Sequence, residues 1–360
     1  MTEPDRTLTH GDYTVGWICA SPETELVAAM AMLDEKHPIL PAADLHDSNS
    51  YVLGRIGDHN VAIACLPAEI TGKASAATVA RDMIRSFPAM RFGLMVGVGG
   101  GAPYYGVRGN HGFLATKEKG DPGDSEDSED DSEDIRDIRL GDVAISLHSK
   151  SSEAVVQYDF GKSLQEKEFL RSGGALNKPP SIVLSAVGVL KAQHQLEGHK
   201  ICQTLAEMVS RYPALAKKFQ YPGFQKDYLF KSDFVHKAGR RTCKTCRSSD
   251  NNLVKRPNRP DNSPRLHYGT MGSADQVIND AILRDKWARE EKIICFEMEA
   301  AGLDFFPCLV IRGICNYADS HKYRVWQPYA AATAACYAKE LLGVISGQGA
   351  MNIDSIKHRM

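Results

Sequence analysis

The chain has 360 residues, 43% of them apolar, enough for one large hydrophobic core or two ordinary ones. Its 43 basic and 45 acidic residues nearly cancel, which excludes a global field that would draw it to nucleic acid or to an anionic membrane surface. The longest uncharged run, Phe92 to Val107, is glycine-rich and interrupted by Pro103, and the opening MTEPDRTLTH has no apolar core, so neither a membrane span nor a secretory leader is expected.

The first predicted element is a strand over Thr14 to Cys19, followed by Ser21-Pro22-Glu23, which supplies a cap, a proline at the first helical position and an acid for a helix running to about Leu33. Tyr51 to Ile56 and Val61 to Leu66 flank the turn-like Gly57-Asp58-His59-Asn60 and read as a hairpin. A helix over Ala74 to Ser86 then leads to a strand at Phe92 to Gly97. Further strands are expected at Asp142 to Leu147, Val155 to Asp159, His267 to Met271 and Cys308 to Ile314. Helices are expected around Ser181 to His194, Ala274 to Arg284, Met298 to Phe305 and Tyr329 to Ser346. Strands alternating with helices imply an α/β sheet covered on its faces.

Two stretches break this regularity. Residues 121–134 hold nine acids and no base and are expected to be a disordered, solvated loop. Residues 196–264 begin as helix and become basic and rich in proline and asparagine, which reads as an insertion within one domain spanning 13–346, between tails at 1–12 and 347–360. Nine cysteines, an odd number in a chain with an ample core, fit reduced thiols and a cytosolic or nuclear compartment. Cys243 and Cys246 form a Cys-x-x-Cys in the basic stretch, with His236 upstream. No second such pair supplies the four ligands of structural zinc, so they read as plain surface thiols and no metal is assigned; a zinc site recruiting His236 and one further residue is the alternative.

Glycines directly after an apolar strand (LMVGVGGGAP, 94–103) formally satisfy a dinucleotide-binding pattern, but no helix opens behind them, so no cofactor is expected. They fit either a tight turn or a bare backbone that a small ligand can approach closely. Glu23 and Glu25 lie in the first turn of the first helix, where the macrodipole alone favours acids. Glu297 and Glu299 flank Met298 among alanines and apolar residues, which disfavours full exposure of both. Asn316, Asp319, Ser320 and His321 follow an apolar strand, at the end where open α/β sheets bind ligands; an Asx turn is the alternative there.

Taken together and in order, VGWICASPETELVAA, LMVGVGGGAP, DIRLGDVAIS, VVQYDFGK, HYGTMGSADQVIND, FEMEAAGL and RGICNYADSHKYRVWQPYAAATAACYAKELL resemble the nucleoside phosphorylase and nucleosidase superfamily over roughly residues 12–346. The resemblance is to its fungal branch of purine nucleosidases acting on ATP- or AMP-type substrates, often fused to immune-receptor-like architectures. It implies one α/β domain, a mixed, twisted central sheet flanked by helices, and a homodimer or trimer. It also implies cleavage of the bond between ribose C1′ and a purine nitrogen through an oxocarbenium-like state.

On this resemblance Glu25 activates water, Glu299 receives the ribose hydroxyls, Met298 packs on the ribose, and Gly99 and Gly100 lie near the reacting centre. Val277, Ile278 and Phe296 flank the substrate, and Asp319 joins its binding residues. Asn316 stands where the family carries the aspartate that protonates the purine. Phosphorolytic relatives hold phosphate with an arginine at the position of Glu25, and with an arginine and a serine where this chain has Met95 and Val98. A carboxylate there would repel phosphate, so hydrolysis is expected. Arg171, Lys178, Lys231 and Arg324 are the candidates for a 5′ phosphate. A binding-only sensor of adenine nucleotides and a phosphorylase remain the alternatives.

Overall fold

A computed structural model describes residues 7–105, 135–148, 153–162, 165, 170–172, 176, 179–236, 243, 246–248, 250–321 and 324–359. The acidic loop at 121–134 lies outside the described residues, as does Lys178. The strands are β1 (Val15–Cys19), β2 (Glu35–Lys36), β3 (Tyr51–Ile56), β4 (His59–Cys65), β5 (Phe92–Gly101), β6 (Val143–Ser146), β7 (Val155–Gln157), β8 (Gly161–Lys162), β9 (Leu170–Arg171), β10 (Leu266–Ser273), β11 (Ile293–Glu297) and β12 (Cys308–Asn316). The main helices are α1 (Val27–Met32), α2 (Lys73–Ser86), α3 (Ser181–Glu197), α4 (Ile201–Arg211), α5 (Ala281–Glu290) and α6 (Gln327–Val344).

Ten strands form one mixed sheet in the order β11-β10-β6-β12-β5-β1-β4-β3-β2, with β7 on β10. The sheet also closes on itself, because β11 pairs antiparallel with β5 through Cys295 opposite Gly101 and Phe296 opposite Gly100. This closure bends β5, β12, β6, β10 and β11 into a ring whose rim carries the candidate site. The fold class expected from the sequence, a single α/β domain with a mixed central sheet flanked by helices, is the one observed.

Close packing follows from small residues. Helix α6 buries Ala330, Ala331, Ala332, Ala334, Ala335 and Ala338, and a side chain at Gly313 of β12 would run into the Ala330 carbonyl. The helix axis therefore lies tight against the central strand.

Several elements differ from expectation. The first helix opens with a single π turn, Pro22–Leu26, before α1. The helix expected from Ala274 starts only at Ala281, because the Asp280 carboxylate accepts from Ile282 N at 2.9 Å and Leu283 N at 3.1 Å and fixes the N-terminus there. Residues 293–297 form a strand where the sequence reading assigns no element, and the helix expected over Met298 to Phe305 is only the 3-10 turn Ala300–Leu303. The stretch 347–359, expected as a tail, carries two short helices with Ala350 and Ile356 buried, and Ile356 N donates to Met90 O at 2.8 Å. No described helix is long and apolar enough to cross a membrane.

Candidate active site

The glycines of 97–101 continue β5 and do not turn the chain; none of them has positive φ. Their bareness is needed by neighbouring protein groups. A Cβ on Gly97 would collide with the Arg312 guanidinium and the Glu25 carboxylate, and one on Gly100 would press on Asn316 Oδ1 and Ala318. The turn reading of these glycines is thus replaced, at Gly97, by close approach of charged side chains to the strand, while Gly99 and Gly100 border the cavity described below.

Glu25 sits in the π turn and is 4% exposed. Its Oε2 accepts from Ala20 N at 2.6 Å and Ser21 N at 3.2 Å, while Oε1 accepts from Val98 N at 2.8 Å. A carboxylate has about four acceptor positions, so three are taken by the backbone and one is left for a ligand or water.

Arg312, fully buried in β12, is the charge around which the site is built. Its Nη2 lies 2.5 Å from Glu297 Oε2 and 3.0 Å from Glu299 Oε2. Glu297 Oε2 also accepts from Glu299 N at 3.1 Å and from Ala300 N at 3.0 Å, at the start of the 3-10 turn. Glu299 has only long backbone partners, Gly72 N and Met298 N, each at 3.4 Å. Burial pushes Glu299 up to about 7, opposed by Arg312 and reinforced by the charges of Glu297 and Glu25.

Asn316 ends β12 opposite Gly100. Its Oδ1 accepts from Ala318 N at 2.8 Å, the Asx turn foreseen as the alternative, and Ala318 takes a positive φ of 51°. Because that N–H needs an acceptor, the amide orientation is fixed; Nδ2 donates one hydrogen to Cys315 Sγ at 3.3 Å and has a second to give.

These groups line one cavity of about 260 Å³. It gathers Glu25, Gly99, Gly100, Val277, Ile278, Phe296, Met298, Glu299 and Asn316 from the expected set. Glu297, Val98, Thr71, Gln276 and Gln327 line it too. Met95 is buried in β5 and takes no part in the lining.

Four expected contacts are not made. Asp319 is buried away from the cavity, where it accepts from His321 N at 2.8 Å. Arg171 pairs with Glu291 at 2.9 Å, and neither it nor Lys231 lines the cavity. Arg324 is exposed outside it. Among the described residues the ionisable lining of the cavity is therefore acidic. A larger cavity of about 370 Å³ lies by Arg139, Asp142, Tyr221 and Arg259, but its arginines are neutralised by Asp137 and Asp142. Cys243 and Cys246, expected as surface thiols, are buried.

Arg312 is the residue sequence reasoning missed. An arginine inside the apolar run Val310–Ile314 was the available signal, since such a residue is buried only against acids.

No family model matches the chain. A nucleotide-binding leucine-rich repeat (NLR)-like protein of Hyaloscypha variabilis is 42% identical over 338 residues, 94% of this chain. The chain spans 30% of the length of that curated relative. Among solved structures, the fold is similar to futalosine hydrolase of Helicobacter pylori, with a TM-score of 0.53 and 16% identity over 93% of this chain and 99% of that one. It is also similar to the 5′-methylthioadenosine/S-adenosylhomocysteine nucleosidase of the same organism, with a TM-score of 0.52 and 15% identity over 92% of this chain and 99% of that one. An Asp-to-Asn variant of that nucleosidase, solved with 5′-methylthioadenosine in its active site, matches at a TM-score of 0.50 and 15% identity over 92% of this chain and 98% of that one. The domain formed by these residues has the nucleoside phosphorylase/nucleosidase-type fold.

Proposed function

We propose that the chain is an N-glycosidase that hydrolyses purine nucleosides or nucleotides, adenosine and its phosphates foremost, with water as nucleophile. The observation that carries this reading is the single cavity bordered by Glu25, Glu299 and Asn316 together with Phe296, Met298, Val277 and Ile278. Its apolar side suits a flat base and its polar side a ribose.

Each role follows from a free valence. The one open acceptor position on Glu25 receives a proton from a water attacking C1′. Glu299, paired with Arg312 through Oε2 and otherwise held only by long backbone contacts, accepts from ribose hydroxyls, and its negative charge stabilises the cationic sugar as the bond breaks. Asn316 Nδ2 donates to N7 of the purine. The electron pair of the broken C–N bond leaves on the base, and the water proton passes to Glu25. An amide has no acidic proton to give, so the leaving base departs without a general acid from this position and turnover is slow. This favours a second reading of the same pocket, a sensor that binds adenine nucleotides and releases almost no base.

An acidic cavity disfavours inorganic phosphate as nucleophile. For a nucleotide, the phosphates would extend past the mouth toward Arg324, which precedes Gln327 of the lining by three residues. Chromatographic assay of adenine release from adenosine, AMP and ATP, with and without phosphate, tests the proposal. Release indifferent to phosphate supports hydrolysis. Ribose 1-phosphate products would refute it, and tight binding without any release would leave the sensor.

A further inference from the structure

The insertion contains a cluster that the cavity does not use. His236 Nδ1 lies 3.3 Å from Cys246 Sγ and 3.6 Å from Cys243 Sγ, and the three donor atoms are all within 4.8 Å of one another. A zinc ion bonded to one imidazole nitrogen and two thiolates spaces each nitrogen–sulfur pair about 3.5 Å apart, given bonds near 2.0 and 2.3 Å and tetrahedral angles. The observed separations of 3.3 and 3.6 Å bracket that value, and they are also the separations of thiol–imidazole hydrogen bonds, which the same atoms would make without the ion.

The local backbone supports the same reading. Cys246 N donates to Cys243 O at 3.1 Å, and a 3-10 turn begins at Cys246, so the two cysteines are held close enough for both sulfurs to reach one point. Cys243 is 7% exposed and Cys246 3%, packed with Phe230 in a small core of their own. No disulfide joins them. Beside them lies His321, its side chain 1% exposed and its Nε2 buried without a partner. Its ring stands edge-on to His236 at 5.5 Å and stacks on Phe230 at 3.9 Å. Cys243 and His321 border one void of about 20 Å³, on which Asn316 also opens.

We propose that His236, Cys243 and Cys246 hold a zinc ion that ties the insertion to the turn following Asn316. The fourth corner of the tetrahedron falls to water, or to the buried His321 alongside once its ring moves toward the three donors, because its nitrogens stand outside the 4.8 Å cluster. Soft thiolates with an imidazole select zinc over hard cations, and two thiolates balance its charge. His236 N also donates to Ser320 Oγ at 2.9 Å, so the ion and the 316–321 turn share an anchor. Metal here would stiffen one wall of the cavity without entering it.

The test uses the full chain, purified under reducing conditions without added metal. Elemental analysis should find about one zinc per chain, and a thiol-specific mercurial should release it to a zinc-binding dye in step with modification of two cysteines. Cobalt exchanged into the site should give the intense visible bands of tetrahedral thiolate coordination. The Cys243→Ser/Cys246→Ser variant should lose at least about nine-tenths of the zinc and melt at a lower temperature. If that variant does not fold, the mercurial release and the cobalt spectrum of the parent still decide. Absence of zinc after incubation with Zn²⁺, zinc retained by the double variant, or a metal-free chain with Cys243 joined to Cys246 as a disulfide would each overturn the proposal.

Discussion

Arg312 Nη2 and Glu299 Oε2 are 3.0 Å apart in the interior of the domain, and the same nitrogen carries Glu297 at 2.5 Å. One guanidinium thus answers two carboxylates in direct contact and a third, Glu25, through space. Removing the cation while the acids stay buried leaves their charge uncompensated, so Arg312→Met should cost about 3–5 kcal/mol of stability. Urea denaturation measures it, and a loss below about 1 kcal/mol would mean that these acids are held in another way.

Glu299 also predicts a pH dependence of stability. Its carboxyl titrates near 7 in the fold, raised by burial, against about 4.3 in an unfolded chain. The native state therefore holds this proton more tightly. That contribution is fully present below about pH 4 and is lost as pH rises toward about 7, where the fold must bear a buried charge. Glu299→Gln keeps the neutral form at every pH. Its stability relative to the parent should be similar near pH 4 and should improve by about 1–3 kcal/mol between pH 5 and 8. Melts at matched pH would show a flat difference if the raised titration is wrong.

In catalysis the two acids should separate. Glu297 is taken up by the backbone of its own turn and by Arg312, whereas Glu299 retains acceptor capacity toward the cavity. In a turnover-competent background, Glu299→Gln should lower kcat about 10²-fold or more, because it removes charge facing a developing cation. Glu297→Gln should lower the melting temperature first. Equal kinetic losses with unchanged stability would refute this division.

Asn316→Asp should raise the rate of base release by about 10²- to 10⁴-fold, the usual contribution of a general acid. The aspartate would keep the acceptor role toward Ala318 N and place its second oxygen where Nδ2 now points. The parent chain should form a complex with intact adenine nucleoside or nucleotide that persists through gel filtration. If Asn316→Asp binds the same ligand and releases no adenine, the pocket is a sensor.

Two glycine substitutions should move in opposite directions. Gly188 lies exposed in α3 with open space around its Cα, so Gly188→Ala should stabilise by about 0.5–1 kcal/mol through helix propensity. Gly97→Ala drives a methyl between Glu25 and Arg312 and should cost about 1–3 kcal/mol or more. Thermal melts of the pair, measured side by side, separate a packing requirement from a general intolerance of alanine.

The sequence made the strands legible where apolar runs were bounded by turn residues, as in β1, β3, β4 and β12, and it identified most of the cavity through an ordered set of motifs. It failed where the tertiary structure decides. Ile293–Glu297 is a strand because β10 and β5 pair with it from distant parts of the chain, and nothing local distinguishes that run from a helix start. The glycines of β5 carry no local mark of which neighbours need the space. Basic residues were assigned to phosphate by charge alone, and Arg171 proved to have a local acidic partner in Glu291. The cysteine pair reads as surface thiols because no second Cys-x-x-Cys accompanies it, although Phe230 and Tyr228 upstream supply the apolar cover.

The placement of β12 bears on how the chain is made. This strand comes late, at Cys308–Asn316, yet it lies in the middle of the sheet between β5 and β6. Until it emerges from the ribosome, the growing polypeptide leaves the long edge of β5 and the short edge of β6, both apolar, without the strand that pairs them. Unpaired edges of that kind recruit other strands readily, so nascent chains that stall before Asn316 should be aggregation-prone and dependent on chaperones. The last strand to be synthesised also supplies both Arg312 and Asn316, so the domain gains its binding pocket and its protection from aggregation in the same step.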